Sequence, residues 1–362
     1  MSGRALLASP GIAAGLGAAL LFGVGTPLAK QLLQGMSPWL LAALLYLGSG
    51  LGLTLYRLVR GEFPWQWPTL SAAQWWCLLA AVALGGGVAP VLLMFGLVGT
   101  PAASASLLLN AEMVFTAALA WLVFQENLDR RVVLGLLSIL GGAVVLGLPE
   151  DLNATLKGSV QWPALWVLGA CLAWGLDNNF TRKVALADAA WITSVKGLVA
   201  GSVNLAIALA LGTSMPGTMQ AAAAMGTGFF AYGVSLALFV VALRHLGAAR
   251  AGAFFSIAPF AGALVSVLWL GEALTWPLLL AGALMALGVW LCLSEQHEHL
   301  HRHEPLEHEH EHLHGLGEDG HHEHDHHDPS AAAPLEHGHW HRHAPVTHSH
   351  RHYPDAHHQH DH

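Results

Sequence analysis

The sequence predicts an all-α membrane protein with ten transmembrane helices in two inverted five-helix repeats, followed by a disordered His-rich cytoplasmic tail. Two observations first indicate a membrane protein. Of the 362 residues, 54% are hydrophobic and only 10% are charged, whereas a soluble domain has about 25% charged residues. Long apolar runs recur up to residue 294, and none follows. The composition therefore argues against an ordinary soluble enzyme.

The two parts of the chain differ in charge. Residues 1–294 contain 12 Lys and Arg against 9 Asp and Glu, a net charge of +3. Residues 295–362 contain 3 against 14, a net charge of −11, and they hold 24 of the 25 histidines. The overall charge describes neither part, so each is interpreted separately.

Ten apolar runs approach the length of about 20 residues that a helix needs to span a bilayer. They cover residues 11–33, 37–59, 73–96, 101–124, 131–148, 162–184, 190–212, 223–245, 249–271 and 275–294. With the N-terminus inside, nine basic residues fall in cytoplasmic segments and two in outer ones. This bias predicts a multi-pass protein of the bacterial inner (plasma) membrane with both termini in the cytoplasm.

An internal repeat relates the two halves. Gly87-Val88 aligns with Gly233-Val234 at an offset of 146 residues, and Glu126-x-Leu128 aligns with Glu272-x-Leu274 at the same offset. Because each half has five spans, the copies have opposite orientations in the membrane. Inverted repeats are typical of secondary transporters, whose site lies near the midplane between the halves. The predicted domains are a first repeat (1–148), a linker (149–161), a second repeat (162–294) and the tail (295–362).

Several segments resemble a known family. They are Leu108-Leu109-Asn110-Ala111-Glu112, Phe124-Gln125-Glu126-Asn127-Leu128, Arg250-Ala251-Gly252-Ala253 up to Pro259, and Leu270-Gly271-Glu272-Ala273-Leu274. Over residues 11–294 the chain is similar to EamA-type members of the drug/metabolite transporter (DMT) superfamily, which have two EamA repeats. The resemblance implies an inner-membrane carrier, usually an exporter of small solutes. It leaves the solute open and does not cover the tail.

Polar residues within the apolar runs are the candidate substrate or coupling residues, because a charge in the membrane usually faces a cavity or a partner. Glu112 lies in helix 4 near Asn110, Asp177-Asn178-Asn179 lies in helix 6, and Lys196 lies in helix 7. One interpretation is that the acids face a central cavity and bind a cationic solute or exchange a coupled proton. The other is that they are structural and are neutralised by Lys196, Arg182 or an amide.

Two further features have structural interpretations. Glu126 and Glu272 end helices 4 and 9, where each carboxylate could accept hydrogen bonds from the free N–H groups of the next helix. Phe22 and Trp174 occupy matching repeat positions and are interpreted either as gate aromatics or as lipid-facing residues. The cysteines sit in apolar runs and are predicted to be packing residues.

The tail alternates histidines with acidic residues and has no apolar run to bury, which predicts disorder. Neutral imidazole binds nickel, cobalt, zinc and copper, so we expect reversible binding at many shifting sites. The alternative is a solvating tail that responds to pH. The candidate metal ligands are His297, His299, His301, His303, His308, His310, His312, His314, His321, His322 and His324.

The sequence leaves two functions open. One is a transporter that exports a small solute or metabolite by alternating access, and the alternative is a transition-metal efflux carrier with the tail as metal collector or sensor. An enzyme is not expected, because an intramembrane protease would need a membrane-embedded histidine or a His-Glu-x-x-His motif. No cofactor is expected to be required. The expected partners are a small-molecule or cation substrate and the lipid bilayer, with a homodimer open and no nucleic acid.

Overall fold

The computed structural model describes residues 10–61, 68–124, 129–148, 161–184, 188–246, 248–294, 297–303, 307–313, 336–342 and 346–352. It divides the chain into a helical unit, Met1–Glu295, and a tail unit, Gln296–His362. The first repeat contains α1 (Pro10–Leu32), α2 (Pro38–Val59), α3 (Ala72–Gly99), α4 (Ala102–Leu108 and Ala111–Phe124) and α5 (Arg130–Gly147). The second repeat contains α6 (Trp162–Arg182), α7 (Ala189–Ala210), α8 (Thr218–Gly228 continuing to Ser235–Leu246), α9 (Ala248–Phe255 and Ala258–Leu270) and α10 (Trp276–Leu293).

These helices confirm the predicted all-α membrane architecture. Within the described residues, nine segments are long and apolar enough to cross a bilayer. The tenth, α6, is 21 residues long and less apolar, because it carries Asp177, two asparagines and Arg182. The polar residues of α6 therefore distinguish this helix from the other nine.

Local sequence signals set where several helices begin. The Ser37 hydroxyl accepts a hydrogen bond from the Leu40 N–H at the start of α2. Ser71 and Gln74 form a reciprocal capping box at the start of α3. The Asp188 carboxylate accepts from the Ala190 N–H at 2.9 Å at the start of α7. Such side chains satisfy N–H groups that have no partner within the helix.

Irregular turns occur at repeat-related places. In α3 the segment Val82–Val88 is a wide π-helical turn, and Phe229–Val234 forms the corresponding turn of α8. α4 is interrupted between Leu108 and Ala111, and α9 is interrupted between Phe255 and Ala258. Both pairs of features are related by nearly the offset that aligns the sequence repeats, so the repeat extends from sequence to backbone geometry.

The two repeats pack by matching pairs of helices. α2 packs on α7 and α5 packs on α10, while α3 and α4 pack on α6, and α8 and α9 pack on α1. Glycines permit the close crossings. A Cβ placed on Gly197 would lie 2.7 Å from the Gly50 Cα, and one on Gly288 would lie 2.5 Å from the Gly135 carbonyl oxygen. Larger residues at these positions would force the helices apart.

The tail unit contains four seven-residue strands: β1 (His297–His303), β2 (Glu307–Leu313), β3 (Glu336–Arg342) and β4 (Val346–His352). β1 pairs with β4 and β2 pairs with β3, both antiparallel. In these segments the structure differs from the predicted disorder. The physical reason is the alternation of histidine with other residues, since a period of two matches the two faces of a strand.

Candidate functional site

The wide turn of α3 frees backbone carbonyls, and three other helices bind them. The Gly85 carbonyl accepts hydrogen bonds from the Tyr46 hydroxyl at 2.8 Å and from the Trp174 indole N–H at 3.0 Å. The Asn204 amide donates to the Gly87 carbonyl at 3.1 Å. A π-helical turn disturbs the regular hydrogen-bond ladder, and a buried carbonyl needs a partner. Side chains of α2, α6 and α7 therefore hold this turn.

An ion pair joins α6 and α7 next to the same turn. The Lys196 ammonium lies 2.7 Å and 2.8 Å from the two carboxylate oxygens of Asp177, and the Thr181 hydroxyl donates to this carboxylate at 2.9 Å. The two side chains are 16% and 7% exposed. A Cβ on Gly85 would overlap the Asp177 carboxylate, and one on Gly86 would lie 2.9 Å from the Lys196 Cγ. The glycines of α3 thus make room for the pair.

The Glu112 carboxylate of the first repeat accepts a hydrogen bond from an amide side chain of the second repeat. It lies in the first turn of the second half of α4, where the helix dipole favours a carboxylate. The Asn178 amide donates to its carboxylate at 2.8 Å and to the Thr116 hydroxyl at 3.2 Å. Asn178 directly follows Asp177 in α6. One turn of α6 therefore contains the predicted acid of the second repeat, Asp177, and the amide that binds the predicted acid of the first repeat, Glu112.

The two remaining predicted asparagines bind backbone carbonyls. Asn110 lies at the interruption of α4 and donates to the Leu107 carbonyl at 2.9 Å. Asn179 donates to the Gly175 carbonyl at 2.8 Å and to the Thr116 carbonyl at 3.2 Å. Both side chains are buried. These two asparagines therefore bind the backbone, whereas Asn178 binds the Glu112 side chain and Lys196 binds the Asp177 side chain.

An aromatic cluster links α1, α2, α8 and α9. The Phe22 ring lies 5.7 Å from the Tyr232 ring and 5.2 Å from the Phe255 ring, and the Tyr46 and Tyr232 rings are 5.9 Å apart. Phe22 and Trp174 are both half-buried and contact residues of other helices, which favours the gate interpretation over the lipid-facing one. Tyr46 connects the aromatic cluster with the Gly85 turn.

Glu272 caps a helix, as predicted, but a different one. Its two carboxylate oxygens accept hydrogen bonds from the Ala102 N–H at 2.6 Å and the Ala103 N–H at 2.7 Å, at the start of α4. The sequence predicts the next helix, α10, as the partner, and this detail is wrong because the first half of α4 packs against α9. The Lys30 ammonium donates to the Thr100 carbonyl at 3.0 Å nearby. The capping contact therefore joins the two repeats.

Some predicted residues lie outside the described part of the chain. These are Glu126, His314, His321, His322 and His324. In the described part of the chain, no group of three or more His, Cys, Asp or Glu is arranged to hold a metal ion.

A groove of about 550 Å³ runs between α3 and α7, which belong to different repeats. Its walls are apolar apart from Asn204, with Trp39, Phe95 and Trp166 among the larger lining residues. Neither Glu112 nor Asp177 is among the described residues that line it. The two candidate acids therefore do not face this groove.

Comparison with known proteins identifies the family. The sequence pattern of the EamA-like transporter family matches residues 9–148 and 161–294, one match for each repeat. The chain belongs to the EamA-like transporter family. This EamA chain is therefore a multi-pass membrane protein and a transporter.

The relatives agree with this assignment. A protein named "Uncharacterized transporter" from Methanothermobacter thermautotrophicus (strain Delta H) is 31% identical over 290 residues, which cover 76% of this chain and 83% of the relative. A "Probable amino-acid metabolite efflux pump" from Salmonella typhimurium (strain LT2) is 34% identical over 88 residues, 24% of this chain and 28% of the relative. A solved crystal structure matches with a TM-score of 0.57 and 18% identity, covering 78% of this chain and 95% of that one, which shows the fold.

The sequence interpretation missed several residues around the site of this EamA protein. Tyr46, Thr116 and Tyr232 are not among the predicted residues. The sequence does indicate an interruption of helix 3 at Gly85-Gly86-Gly87, either to free backbone groups for binding or as a kink for packing. A signal was present, because tyrosines are rare in this chain, with four in all, and three of them, Tyr46, Tyr56 and Tyr232, lie within apolar runs. Buried hydroxyl groups need hydrogen-bond partners, so tyrosine in a membrane helix points to a polar interior.

Proposed function

We propose that this EamA protein is a secondary transporter of the plasma membrane that exports a small amino-acid-like metabolite by alternating access. The two-repeat architecture supports a carrier, because inverted repeats place a site between two alternating halves. The efflux relative supports export of an amino-acid metabolite, although it matches only 24% of this chain. The basic residues of the short loops support cytoplasmic termini.

The observation that carries the proposal is the contrast between the two acids. Asp177 is bound by a cation, Lys196, at 2.7 Å, whereas Glu112 is bound by a neutral amide, Asn178, at 2.8 Å. An amide compensates a carboxylate charge less than an ammonium does. Glu112 can therefore exchange the Asn178 contact for the ammonium group of a cargo molecule or for a proton.

The surrounding residues suit such an exchange. Glu112 follows the interruption of α4, so its backbone can shift relative to the first half of that helix. Asn178 can pass its hydrogen bond to the Thr116 hydroxyl, which lies 3.2 Å away. In the proposed cycle Glu112 binds cargo or a proton, and Asp177 and Lys196 keep the adjacent helices together. Release follows when the site opens to the other side.

Transport by Glu112→Gln tests this proposal. Purified protein in proteoliposomes is assayed for counterflow of radiolabelled amino acids and related amines, and Glu112→Gln should abolish uptake while the protein stays folded. Asp129→Asn is a matched control, because Asp129 caps the start of α5 and asparagine is an equally good cap. Full activity of Glu112→Gln would overturn the role of Glu112.

The same variants decide the alternative cargo. In a host without its own efflux systems, cell content of nickel, cobalt, zinc and copper is compared for the full chain, the chain stopped after Ser294, and Glu112→Gln. Under the proposal none of the three changes cell metal. If the full chain lowers cell metal and Glu112→Gln does not, the cargo is a transition metal and the proposal of an organic cargo is wrong.

A further inference from the structure

The backbone register of the tail places histidine opposite histidine. In the antiparallel pair of β1 and β4, three positions of β1 face three positions of β4, and all six are histidine. The pairs are His297 with His352, His299 with His350, and His301 with His348. His303, the next residue on the same face of β1, is opposite Val346.

The second strand pair repeats this arrangement. In the antiparallel pair of β2 and β3, three histidines of β2 again have histidine partners. The pairs are His308 with His341, His310 with His339, and His312 with His337. The intervening residues of β2 are Glu307, Glu309 and Glu311, so acids occupy the other face of this strand. Each sheet therefore has a histidine face with three cross-strand pairs.

The spacing of such pairs suits one metal ion between two histidines. Residues directly opposite in antiparallel strands have Cβ atoms about 4.5–5.5 Å apart. Same-face neighbours along one strand are about 6.6 Å apart, at about 3.3 Å per residue. A zinc ion bound by two imidazoles has metal–nitrogen distances of about 2.0–2.1 Å. The shorter separation favours a shared ion across the strands over one along a strand.

We propose that the tail binds divalent transition-metal ions at these cross-strand histidine pairs, one ion for each pair, with water completing the coordination. The proposal does not depend on what the membrane part transports. The sequence analysis expects many shifting metal sites, whereas this proposal assigns each ion to a site that the strand register defines. Imidazole suits zinc, nickel, cobalt and copper, so the sites accept this class of ion.

Metal binding at these pairs also stabilises the strands. A two-stranded sheet on its own is at best marginally stable in water, and charged and polar residues dominate these strands. An ion bound by one histidine from each strand links the two strands. The free energy of metal binding therefore adds to the free energy of strand pairing. Metal should therefore increase the protection of the backbone N–H groups of these strands from hydrogen exchange, and removal of the metal should reverse this increase.

The test counts the ions bound by full-length protein in detergent, titrated with zinc at pH 7.5 against a chromogenic chelator. Two double variants each remove two histidines. His299→Gln with His350→Gln removes both members of one pair, whereas His299→Gln with His310→Gln removes one member from each of two pairs. The proposal predicts a loss of one ion in the first variant and two in the second. Equal losses would show that histidines of one strand bind independently, and would overturn it.

A second measurement checks the register without relying on ion counts. In a chain whose native cysteines are replaced by serine, His299→Cys with His350→Cys should form a disulfide when diamide takes up the two thiol protons and two electrons. His299→Cys with Ser349→Cys is the control, because Ser349 is one position out of register. Equal cross-linking of both variants would contradict the paired register.

Discussion

Replacement of Lys196 by Met should destabilise the helical unit severely. The ammonium of Lys196 lies 2.7 Å and 2.8 Å from the two oxygens of Asp177, and the side chains are 16% and 7% exposed. Removing one partner leaves a charged carboxylate without its counterion in a membrane protein interior. The expected loss is about 3–5 kcal/mol of unfolding free energy.

The magnitude follows from two opposing terms. At 2.7 Å and an effective dielectric constant of about 20, two unit charges attract by about 6 kcal/mol. Burial of the charges costs several kcal/mol, so most of this attraction offsets desolvation. Removing both charges in Asp177→Asn with Lys196→Met removes both terms. The double variant should therefore be less destabilised than the sum of the single variants, with a coupling energy of about 2–3 kcal/mol.

Reversible unfolding in mixed micelles, followed by circular dichroism, measures the free energies of the four proteins in this cycle. Arg60→Met is the matched control, because the Arg60 side chain is exposed at the end of α2, where its guanidinium lies 5.0 Å from the centre of the Tyr56 ring, and its loss should cost at most about 1 kcal/mol. A coupling energy below about 0.5 kcal/mol, or a loss for Lys196→Met no larger than for the control, would refute the reasoning.

Other contacts give further predictions. Glu272→Ala should lose about 2–3 kcal/mol, because two N–H groups at the start of α4 lose a charged acceptor, and thermal unfolding in detergent measures the loss. Gly85→Ala should lower the folded yield in size-exclusion chromatography, since its Cβ would overlap the Asp177 carboxylate, whereas Gly147→Ala should not, as nothing lies within 4 Å of its Cβ. Tyr46→Phe should cost about 1 kcal/mol in the same thermal assay, because the Gly85 carbonyl loses one of its two donors.

Much of the fold could be predicted because the relevant signals are local. Apolar run length predicts helices, and matching glycines and Glu-x-Leu segments predict the repeat. The partner of each polar residue could not be predicted in this way. Glu272 has the predicted chemistry but binds α4, since its partner depends on which helices pack together. The structural interpretation of Asp177 named Lys196 as one partner, and only the fold brings α6 and α7 into register.

The irregular turns and the tail strands were harder to predict. Glycines at 85–87 signal a possible interruption, but a wide turn exists because Tyr46, Trp174 and Asn204 bind its carbonyls, and these lie far apart in sequence. In the tail, alternation of His and Glu is compatible with a strand or with an unstructured polar segment. Strand pairing is a non-local property that composition alone does not encode.

Helices of one repeat pack around a helix of the other repeat, so the packed bodies of this chain differ from its sequence repeats. α8 and α9 surround α1, and α3 and α4 surround α6, so each packed body draws helices from both ends of the chain. A cut in the linker at 149–161 would therefore separate each central helix from its own shell. The two packed bodies therefore do not coincide with the two sequence repeats, because each body contains helices of both repeats. Either repeat expressed alone would therefore lack helices that complete its packed body.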